Sequence, residues 1–296
     1  MTELLDTHTE EEISNSEFQD EITPIRAHLS YVNRRTVRSV SYAFEPPEGV
    51  PWENCDFDLK RVAIHDARLE KNCPKLDKQG YELFGSYSRV SNFYDDDEVR
   101  SSYYPEMIEI ALLSTGGKAA YIFDHLVRRK DPNCSAMSFG RRCASNVPSA
   151  NGRIHNDYTE ESGKRRFEIV FPNSLDRSLI QRYSIVNIWR SIKSSPILDT
   201  PLAVCDARTV SSGDIVPADV IYPTRSGEVY LLTYSPSHRW SYFSQMKKHE
   251  VIVFKQYDSQ LSGTSRFTPH SAFDHPFCPR GVSPRESIEV RCLVVY

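Results

Sequence analysis

Short apolar runs separated by Pro, Gly and Ser fill the second half of the chain. Runs of this length and spacing are typical of strands in an all-β sandwich or barrel. The pattern predicts strands there at 182–192, 202–205, 229–234, 251–257, 267–273 and 287–296. Before them, residues 130–152 are rich in Pro, Ser, Asn and Gly, and we expect a long loop there.

The first half of the chain contains one clear helical pattern and a few strand-like runs. Residues 95–113 begin with three aspartates and then carry apolar residues at helical spacing. The pattern predicts a helix that bends near Pro105 and ends before Gly116. Strand-like character is found at 33–44, 62–66, 76–83 and 119–127. We therefore expect helices and an outer strand or two packed on a β-barrel.

The first 24 residues differ in composition from the rest of the chain. They hold eight acidic residues and no Lys or Arg. Such a segment buries too little apolar surface to offset the entropy lost on ordering it. We predict a flexible acidic tail over residues 1–24 and a single domain over residues 25–296. A second reading stays open, in which the tail forms a short helix docked over the barrel mouth or on a neighbouring subunit of a homodimer.

Charge and cysteine content narrow the function classes. The net charge of -4 argues against a general nucleic-acid or anionic-membrane binder, and the run at 128–130 is interpreted as a solvated basic face. Seven cysteines without a C-x-x-C pair favour reduced thiols over a disulfide framework or a zinc site. Neither a signal-peptide core nor an apolar run of membrane-spanning length is present. We expect a cytoplasmic protein with seven free thiols.

Candidate chemistry begins with His155 and Asp157, which are two positions apart. On a strand, both side chains would point to the same face. A second histidine would complete a 2-His-1-carboxylate site, whose open positions suit non-haem Fe(II) and oxygen. A His-x-Asp triplet arises readily by chance, so the spacing alone leaves a surface histidine with a turn aspartate equally open.

The second histidine is to be sought among His238, His249, His270 and His275. His249 lies in a charged segment before a strand and is expected to be exposed, and His275 precedes a proline in a loop. His238 ends one strand, whereas His270 follows a strand-turn-strand unit late in the chain. In jelly-roll oxygenases the ligands come from one early and one late strand, so we prefer His270 and keep His238 as the alternative.

The predicted last strand begins with Arg285 and Ser287, which would share one face. A guanidinium and a hydroxyl in this arrangement can hold a carboxylate, the arginine in bidentate fashion. The triplet Arg-x-Ser occurs five times in the chain, so only its position after His270 is informative. Arg291 on the same strand is an equal candidate, and pairing of Arg285 with a neighbouring glutamate is the plain structural alternative.

Two further polar residues, Asn187 and Arg190, flank Trp189 on a predicted barrel strand. Side chains of a strand alternate between its two faces. Because the pattern does not tell which face is interior, we keep both Asn187 and Arg190 as candidate cofactor-binding residues. Trp189 is interpreted as core packing.

Seven stretches in a fixed order resemble the fungal AsaB-type hydroxylase/desaturase family, which includes gibberellin-desaturase-like and CmcJ-related proteins. They are Phe-Asp-His-Leu-Val-Arg-Arg at 123–129, His-Asn-Asp-Tyr-Thr at 155–159, Asn-Ile-Trp-Arg at 187–190, Ser-His-Arg-Trp at 237–240, Phe-Lys-Gln-Tyr-Asp at 254–258, Phe-Thr-Pro-His at 267–270 and Pro-Arg-Glu-Ser-Ile-Glu-Val-Arg at 284–291. The resemblance extends from about residue 30 to the end of the sequence. One departure is Ser191, where the family pattern has proline.

The resemblance implies a mainly β fold with flanking helices around a jelly-roll (double-stranded β-helix, cupin-like) core. It implies an Fe(II)/2-oxoglutarate-dependent oxygenase that uses O₂ to hydroxylate, desaturate or cyclise a small molecule of fungal secondary metabolism. His155, Asp157 and His270 would be the iron ligands, and Arg285 with Ser287 would hold 2-oxoglutarate. Two alternatives stay open: an iron oxygenase of this fold that does not use 2-oxoglutarate, and a cupin-like protein that binds a small molecule without turnover.

Overall fold

Two β-sheets facing each other form the body of the molecule. The structure is a computed structural model and describes residues 23–34, 38–130 and 149–296. Its strands are β1 Ile25–Val32, β2 Ser39–Tyr42, β3 Phe57–Asp66, β4 Tyr81–Gly85, β5 Ala119–Arg129, β6 His155–Asn156, β7 Tyr183–Ser191, β8 Leu202–Cys205, β9 Ile215–Ile221, β10 Ser226–Leu232, β11 Trp240–Tyr242, β12 Glu250–Asp258, β13 His270–Ala272 and β14 Glu286–Val295. The helices are α1 Asp96–Glu98, α2 Tyr104–Thr115, α3 Glu160–Val170 and α4 Ser174–Ser178.

The strand order is that of a jelly roll. One sheet runs β1-β3-β11-β8-β13-β6-β10-β9-β2 and the other β4-β12-β7-β14-β5. Within the described ranges, all neighbours are antiparallel except β3 with β11 and β2 with β9. Neighbouring strands are often far apart in sequence, as such a double-sheet barrel requires. The predicted fold class, mainly β with flanking helices around a jelly-roll core, is therefore confirmed.

The five-stranded sheet is buried on both faces. On its inner face, Trp189 of β7 and Phe254 of β12 pack against Leu202 of the opposite sheet. On its outer face, Ile188 of β7 packs against Met107 of α2. Both faces of β7 are therefore covered, which explains why every residue of the strand is buried and why its apolar residues occur on both faces.

The helix predicted at 95–113 forms in two parts. Asp95 caps α1 by accepting hydrogen bonds from the amides of Asp97 and Glu98. A π-helical turn at Val99–Tyr103 then leads into α2, and Pro105 lies in the first turn of α2, where its missing N–H leaves no hydrogen bond unmade. Gly116 ends α2 in the left-handed conformation, with φ of 69°. The predicted end before Gly116 is confirmed, and the irregular turn of the helix lies just before Pro105, where a bend was predicted.

Several elements were not predicted. They include β1, β9, β11, α3 and α4. Within the predicted run at 33–44, the described residues form a strand at Ser39–Tyr42, and residues 35–37 lie outside the described ranges. Helix α3 corrects the expectation that strands alone follow His155. It begins at a capping box, in which the Thr159 hydroxyl accepts from the Ser162 amide and the Ser162 hydroxyl accepts from the Thr159 amide. Phe167 of α3 is buried against Tyr183 and holds the otherwise polar helix on the barrel.

Some sequence-based expectations fall on residues outside the described ranges. These are residues 1–22 of the acidic tail and residues 131–148 of the predicted loop. Cys134 and Cys143 lie in that second range, while the five cysteines that the structure describes are free thiols. In the described part of the chain, no helix has the length and apolar character that a membrane span requires.

The close contact between Gly163 of α3 and Tyr257 of β12 yields a stability prediction. A Cβ at Gly163 would lie 2.7 Å from the Tyr257 ring. We expect Gly163→Val to lower the free energy of unfolding by about 1–3 kcal/mol, because the buried ring has to move. Lys164→Val, at the exposed neighbouring position, is the control for placing valine in α3. Valine has a higher helix propensity than glycine, so propensity alone would not destabilise Gly163→Val. Urea unfolding measures both, and an equal loss in the two variants would contradict the packing explanation.

Candidate metal centre

His155, Asp157 and His270 converge between the two sheets. His155 on β6 is the direct cross-strand partner of His270 on β13, and their ring centroids are 4.3 Å apart. Asp157 follows β6, and its Oδ1 lies 3.6 Å from Nε2 of His155. One ligand atom from each of the three side chains lies within 4.8 Å of the others. The imidazoles are almost fully buried, so the group is shielded from bulk water.

Backbone carbonyls orient both imidazoles. Nδ1 of His155 lies 2.8 Å from the carbonyl oxygen of Arg153, and Nδ1 of His270 lies 3.3 Å from that of Thr268. Each Nδ1–H can therefore donate to a carbonyl, which leaves the Nε2 lone pair available to a metal ion. Such a second hydrogen bond is the usual way in which proteins fix a metal-binding histidine.

Three side chains fix the carboxylate of Asp157 and its backbone. Asn187 Nδ2 and Arg291 Nε donate to Oδ2 of Asp157 at 2.7 and 3.1 Å. The backbone amide of Asp157 donates to Oε1 of Gln256 at 2.7 Å. Oδ2 is therefore occupied by protein donors, and Oδ1 remains beside His155.

Burial and charge together select the protonation states of a metal site. Burial lowers the pKa of His155 to about 4 and also lowers the pKa of His270. Burial alone would raise the pKa of Asp157, but Arg291 and the two neighbouring histidines reverse this and lower it. At neutral pH the site presents two neutral imidazoles and one carboxylate. This donor set fits a divalent metal with open coordination positions, non-haem Fe(II) above all.

The lowered pKa of His155 predicts how stability depends on pH. In metal-free protein, we expect the free energy of unfolding to fall as the pH drops from about 6.5 to about 4. The reason is that the unfolded chain takes up the proton near pH 6.5, whereas folded His155 does so only near pH 4. The full effect of such a shift is about 3 kcal/mol.

Urea unfolding of metal-free protein at several pH values tests this expectation. His155→Gln is the control, because it removes the titrating group. An equally steep pH dependence in the wild type and in His155→Gln would contradict the assignment.

Arg285 and Ser287 line the same cavity as the two histidines. Arg285 is buried, stacks 5.1 Å above the Trp189 ring, and donates to the carbonyl of Thr200 at 3.1 Å and to the Ser287 hydroxyl at 3.3 Å. No carboxylate of the described residues forms an ion pair with its side chain. Burial, followed by repulsion from Arg128, lowers its pKa to about 10, so it stays charged at neutral pH.

Arg291 is already bound to three carboxylates. Its guanidinium lies 2.8 Å from Asp124, 3.1 Å from Asp157 and 3.3 Å from Glu289. Burial alone would lower the pKa of Arg291, but these anions raise it well above its usual value. Arg291 therefore neutralises and orients the metal-centre carboxylate, whereas Arg285 retains capacity for a further anion.

Of the remaining candidates, the structure brings one to the centre and separates two from it. Asn187 contacts Asp157, as described above. Arg190 corrects our expectation, because it lies on the outer face of β7, where it donates to Ser86 at 2.8 Å and stacks on Tyr103. His238 also lies elsewhere, between Tyr31 and Asp214 at 3.3 Å from each.

Three features of the site were not predicted from the sequence: Arg128, Gln256 and the position of Trp189 in the cavity wall. Arg128 was interpreted as part of a solvated basic run, yet it is partly buried, donates to the Ser149 carbonyl and lines the cavity. The alternation of β5 contained the missing signal: Leu126 and Arg128 point inward, and Arg129 is exposed. Charge alone had suggested a uniform surface run.

Comparisons with known proteins identify a family and several similar proteins. Residues 29–295 match the family model described as "Oxidoreductase/YMDC permease-like domain". The chain is similar to the hydroxylase/desaturase efuI of Hormonema carpetanum, with 32% identity over 255 residues, covering 81% of this chain and 85% of that protein. It is also similar to the Fe(II)/2-oxoglutarate-dependent dioxygenase nvfI of Aspergillus novofumigatus (strain IBT 16806), with 28% identity over 266 residues, covering 88% and 91%.

A solved structure is similar over nearly the whole length. It is titled "iron and alpha-ketoglutarate-dependent endoperoxidase NvfI with different conformation" and matches with a TM-score of 0.79 at 25% identity. The match covers 92% of this chain and 98% of that chain. The two chains therefore share one fold, and the match covers most of the length of each.

Proposed function

The chain belongs to the fungal hydroxylase/desaturase family of Fe(II)/2-oxoglutarate-dependent oxygenases, and we propose how its own residues carry out this activity. The enzyme oxidises an unactivated C–H bond of a small molecule of secondary metabolism, with Fe(II), 2-oxoglutarate and O₂. Hydroxylation, desaturation and oxidative cyclisation are the reactions open to it.

His155, Asp157 and His270 are the proposed iron ligands. This is supported by their mutual distances and by the carbonyls that orient the two imidazoles. The three side chains together carry one negative charge, that of Asp157, which favours binding of a cation. Three protein ligands leave coordination positions for a bidentate 2-oxo acid and for O₂. With iron bound, the centre would catalyse the oxidation of 2-oxoglutarate by O₂ to succinate and CO₂. One oxygen atom of O₂ would enter succinate, and the other would be used to oxidise the substrate.

Arg285 and Ser287 are the proposed partners of the distal carboxylate of 2-oxoglutarate. The support is charge: Arg285 lacks a carboxylate partner among the described residues, whereas Arg291 already has three. The free volume beside Arg285 is about 20 Å³, close to the space of one water molecule. Co-substrate binding therefore requires flanking side chains such as Arg128 and Glu289 to move.

The remaining residues hold the reactants and keep water out. Asn187 and Arg291 hold Asp157, so that one carboxylate oxygen faces the metal position. Trp189 and Leu202 form an apolar wall beside the histidines. A closed apolar wall excludes water from the reacting centre and favours oxidation of the substrate over side reactions.

The observation that carries the proposal is the convergence of His155, Asp157 and His270 next to a buried arginine whose side chain forms no ion pair with a described carboxylate. The direct experiment incubates purified protein aerobically with Fe(II) and 2-oxoglutarate and measures succinate and O₂ consumption. We expect both to depend on iron and on 2-oxoglutarate. Oxygen consumption without succinate would instead favour an iron oxygenase that does not use 2-oxoglutarate.

We also propose that residues 25–296 form the catalytic domain and that the acidic tail is dispensable. A chain that starts at Ile25 is expected to keep iron binding and succinate formation, because β1 begins at Ile25 and pairs with β3. Iron titration and succinate assays compare it with the full chain. Loss of turnover with iron retained would make the tail a lid or an interface element. Homodimer formation and a cytoplasmic location stay predictions, for which size-exclusion chromatography and cell fractionation are the measurements.

A further inference from the structure

A second cavity adjoins the proposed metal centre. It has a volume of about 460 Å³, lies between α3 and the β9–β10 hairpin, and includes Asp157 and Arg291 in its wall. We term it the α3 cavity. Arg291 also lines the cavity that contains Arg285, so its side chain borders both spaces. Its volume is in the range of small-molecule sites in proteins.

The wall of the α3 cavity is partly aromatic and aliphatic. It includes Phe123, Tyr158, Ile169, Tyr222 and Val229. Such a wall fits the body of an apolar ligand, since most small-molecule sites combine apolar walls with a few polar groups that set orientation.

Three arginines, Arg165, Arg166 and Arg225, add uncompensated positive charge to this cavity. Over the ranges that the structure describes, their side chains form neither ion pairs nor hydrogen bonds. The Nε of Arg166 is buried without a hydrogen-bond partner in that same part of the chain. A solvated surface arginine would keep this nitrogen in contact with water, so its burial points to a missing acceptor.

Aromatic rings hold two of these guanidinium groups in place. The Arg166 guanidinium lies 4.6 Å from the Phe123 ring centroid, and that of Arg225 lies 4.0 Å from the Tyr222 centroid. Stacking fixes the plane of the guanidinium while leaving its N–H groups free to donate.

The carboxylates in the same wall cannot neutralise these arginines. Asp124 is bound to Arg291 at 2.8 Å, and Glu228 is bound to Arg38 and to the Thr159 hydroxyl. The α3 cavity therefore combines an apolar wall with oriented cations that have no ion-pair partner among the described residues.

We propose that the α3 cavity binds the molecule that is oxidised, and that this substrate has an apolar body and a carboxylate. The carboxylate is held by Arg166 and Arg225, and the C–H bond that reacts lies at the other end of the molecule, beside Asp157. Guanidinium groups bind carboxylates through paired N–H donors, which gives both affinity and orientation. The inference rests on the proposed function, since it takes Asp157 to be a metal ligand.

A matched pair of probes tests the proposal without knowledge of the natural substrate. The probes are 4-(pyren-1-yl)butanoate and its methyl ester, which share an apolar body and differ in charge. Fluorescence anisotropy measures their binding to the purified full chain, first without metal and then with Co²⁺ in place of iron. We expect the acid to bind about tenfold or more tightly than the ester, as is typical of hydrogen bonds to a charged group.

Variants test whether the arginines cause the preference for the acid over the ester. Arg166→Gln and Arg225→Gln should each reduce the preference for the acid, and Arg166→Lys should retain part of it. Arg61→Gln, at an exposed arginine of β3 outside the cavity, is the control and should leave it unchanged. Bound Co²⁺ should quench the pyrene fluorescence, because the body of the probe then lies beside the metal.

Equal binding of acid and ester, binding of neither, or an acid preference that survives in the Arg166→Gln/Arg225→Gln double variant would overturn the proposal. Binding without Co²⁺ quenching, with Co²⁺ shown by its absorption spectrum to be bound, would also overturn it. If Co²⁺ does not bind at all while the acid preference persists, the proposed metal function fails and the anion site stands, so the two failures are distinguishable.

Discussion

His270→Ala is expected to abolish iron binding and to reduce succinate formation to the level of the metal-free protein. The substitution removes one of three protein ligands and leaves His155 without its cross-strand partner. Loss of a residue that merely orients a metal ligand costs about 10–100-fold in metal affinity. Loss of a ligand itself should exceed that. Calorimetric titration with Fe(II) under anaerobic conditions measures the affinity, and a coupled succinate assay measures turnover.

His238→Ala is the matched control for this prediction. His238 is a buried histidine as well, but it contacts Tyr31 and Asp214 instead of the centre. We expect His238→Ala to lose some stability and to keep its affinity for iron. Iron binding that survives in His270→Ala and disappears in His238→Ala would show that the third ligand is assigned wrongly.

Arg285→Gln is expected to raise the KM for 2-oxoglutarate by about 10–100-fold, since a hydrogen bond to a charged group contributes about 1.5–3 kcal/mol. Arg285→Lys should recover part of the loss, because it restores the charge but not the paired donors. Iron affinity should change little in both variants, since the Arg285 side chain donates to Ser287 and Thr200 and is not proposed as an iron ligand. Initial rates of succinate formation at varied 2-oxoglutarate measure the effect.

Arg291→Gln tests whether Arg291 and Arg285 have different roles, by comparing the affinity for iron with the KM for 2-oxoglutarate. Arg291 holds Asp157, so its loss should weaken iron binding more than it changes the requirement for 2-oxoglutarate. If Arg291→Gln raised the KM for 2-oxoglutarate while Arg285→Gln did not, the carboxylate-binding residue would be Arg291.

The jelly roll and the group of candidate ligands were predictable from the sequence, for physical reasons. Strand propensity is a local property, so the strands could be predicted from short segments of the sequence. His155, Asp157 and His270 were assigned to or beside predicted strands, and the pairing of those strands brings the three residues together. Helix α3 was harder to predict, because only two buried residues, Gly163 and Phe167, secure it to the barrel. The rest of the helix is mostly polar, so few apolar residues mark its helical period.

The different roles of the polar residues at and near the site could not be predicted from the sequence. Asn187 and Arg190 are three apart on β7 and therefore lie on opposite faces, but which face is interior depends on the packing of α2 against the outer side. Arg285 and Arg291 were equivalent in sequence. They differ because strand pairing sets Arg291 opposite Asn187 and Asp124, next to the carboxylates that bind it.

The sheet order also determines when this site can form during folding. The candidate ligands are 115 positions apart in sequence, between His155 and His270, and β14 lies inside its sheet between β7 and β5, although it is the last described strand along the chain. Contacts between such distant segments form slowly, because the intervening chain has to be ordered first. During synthesis, a nascent chain that has not yet extended through β14 lacks an inner strand of one sheet. Metal binding should therefore follow folding instead of nucleating it, and the metal-free protein has to reach its native topology unaided.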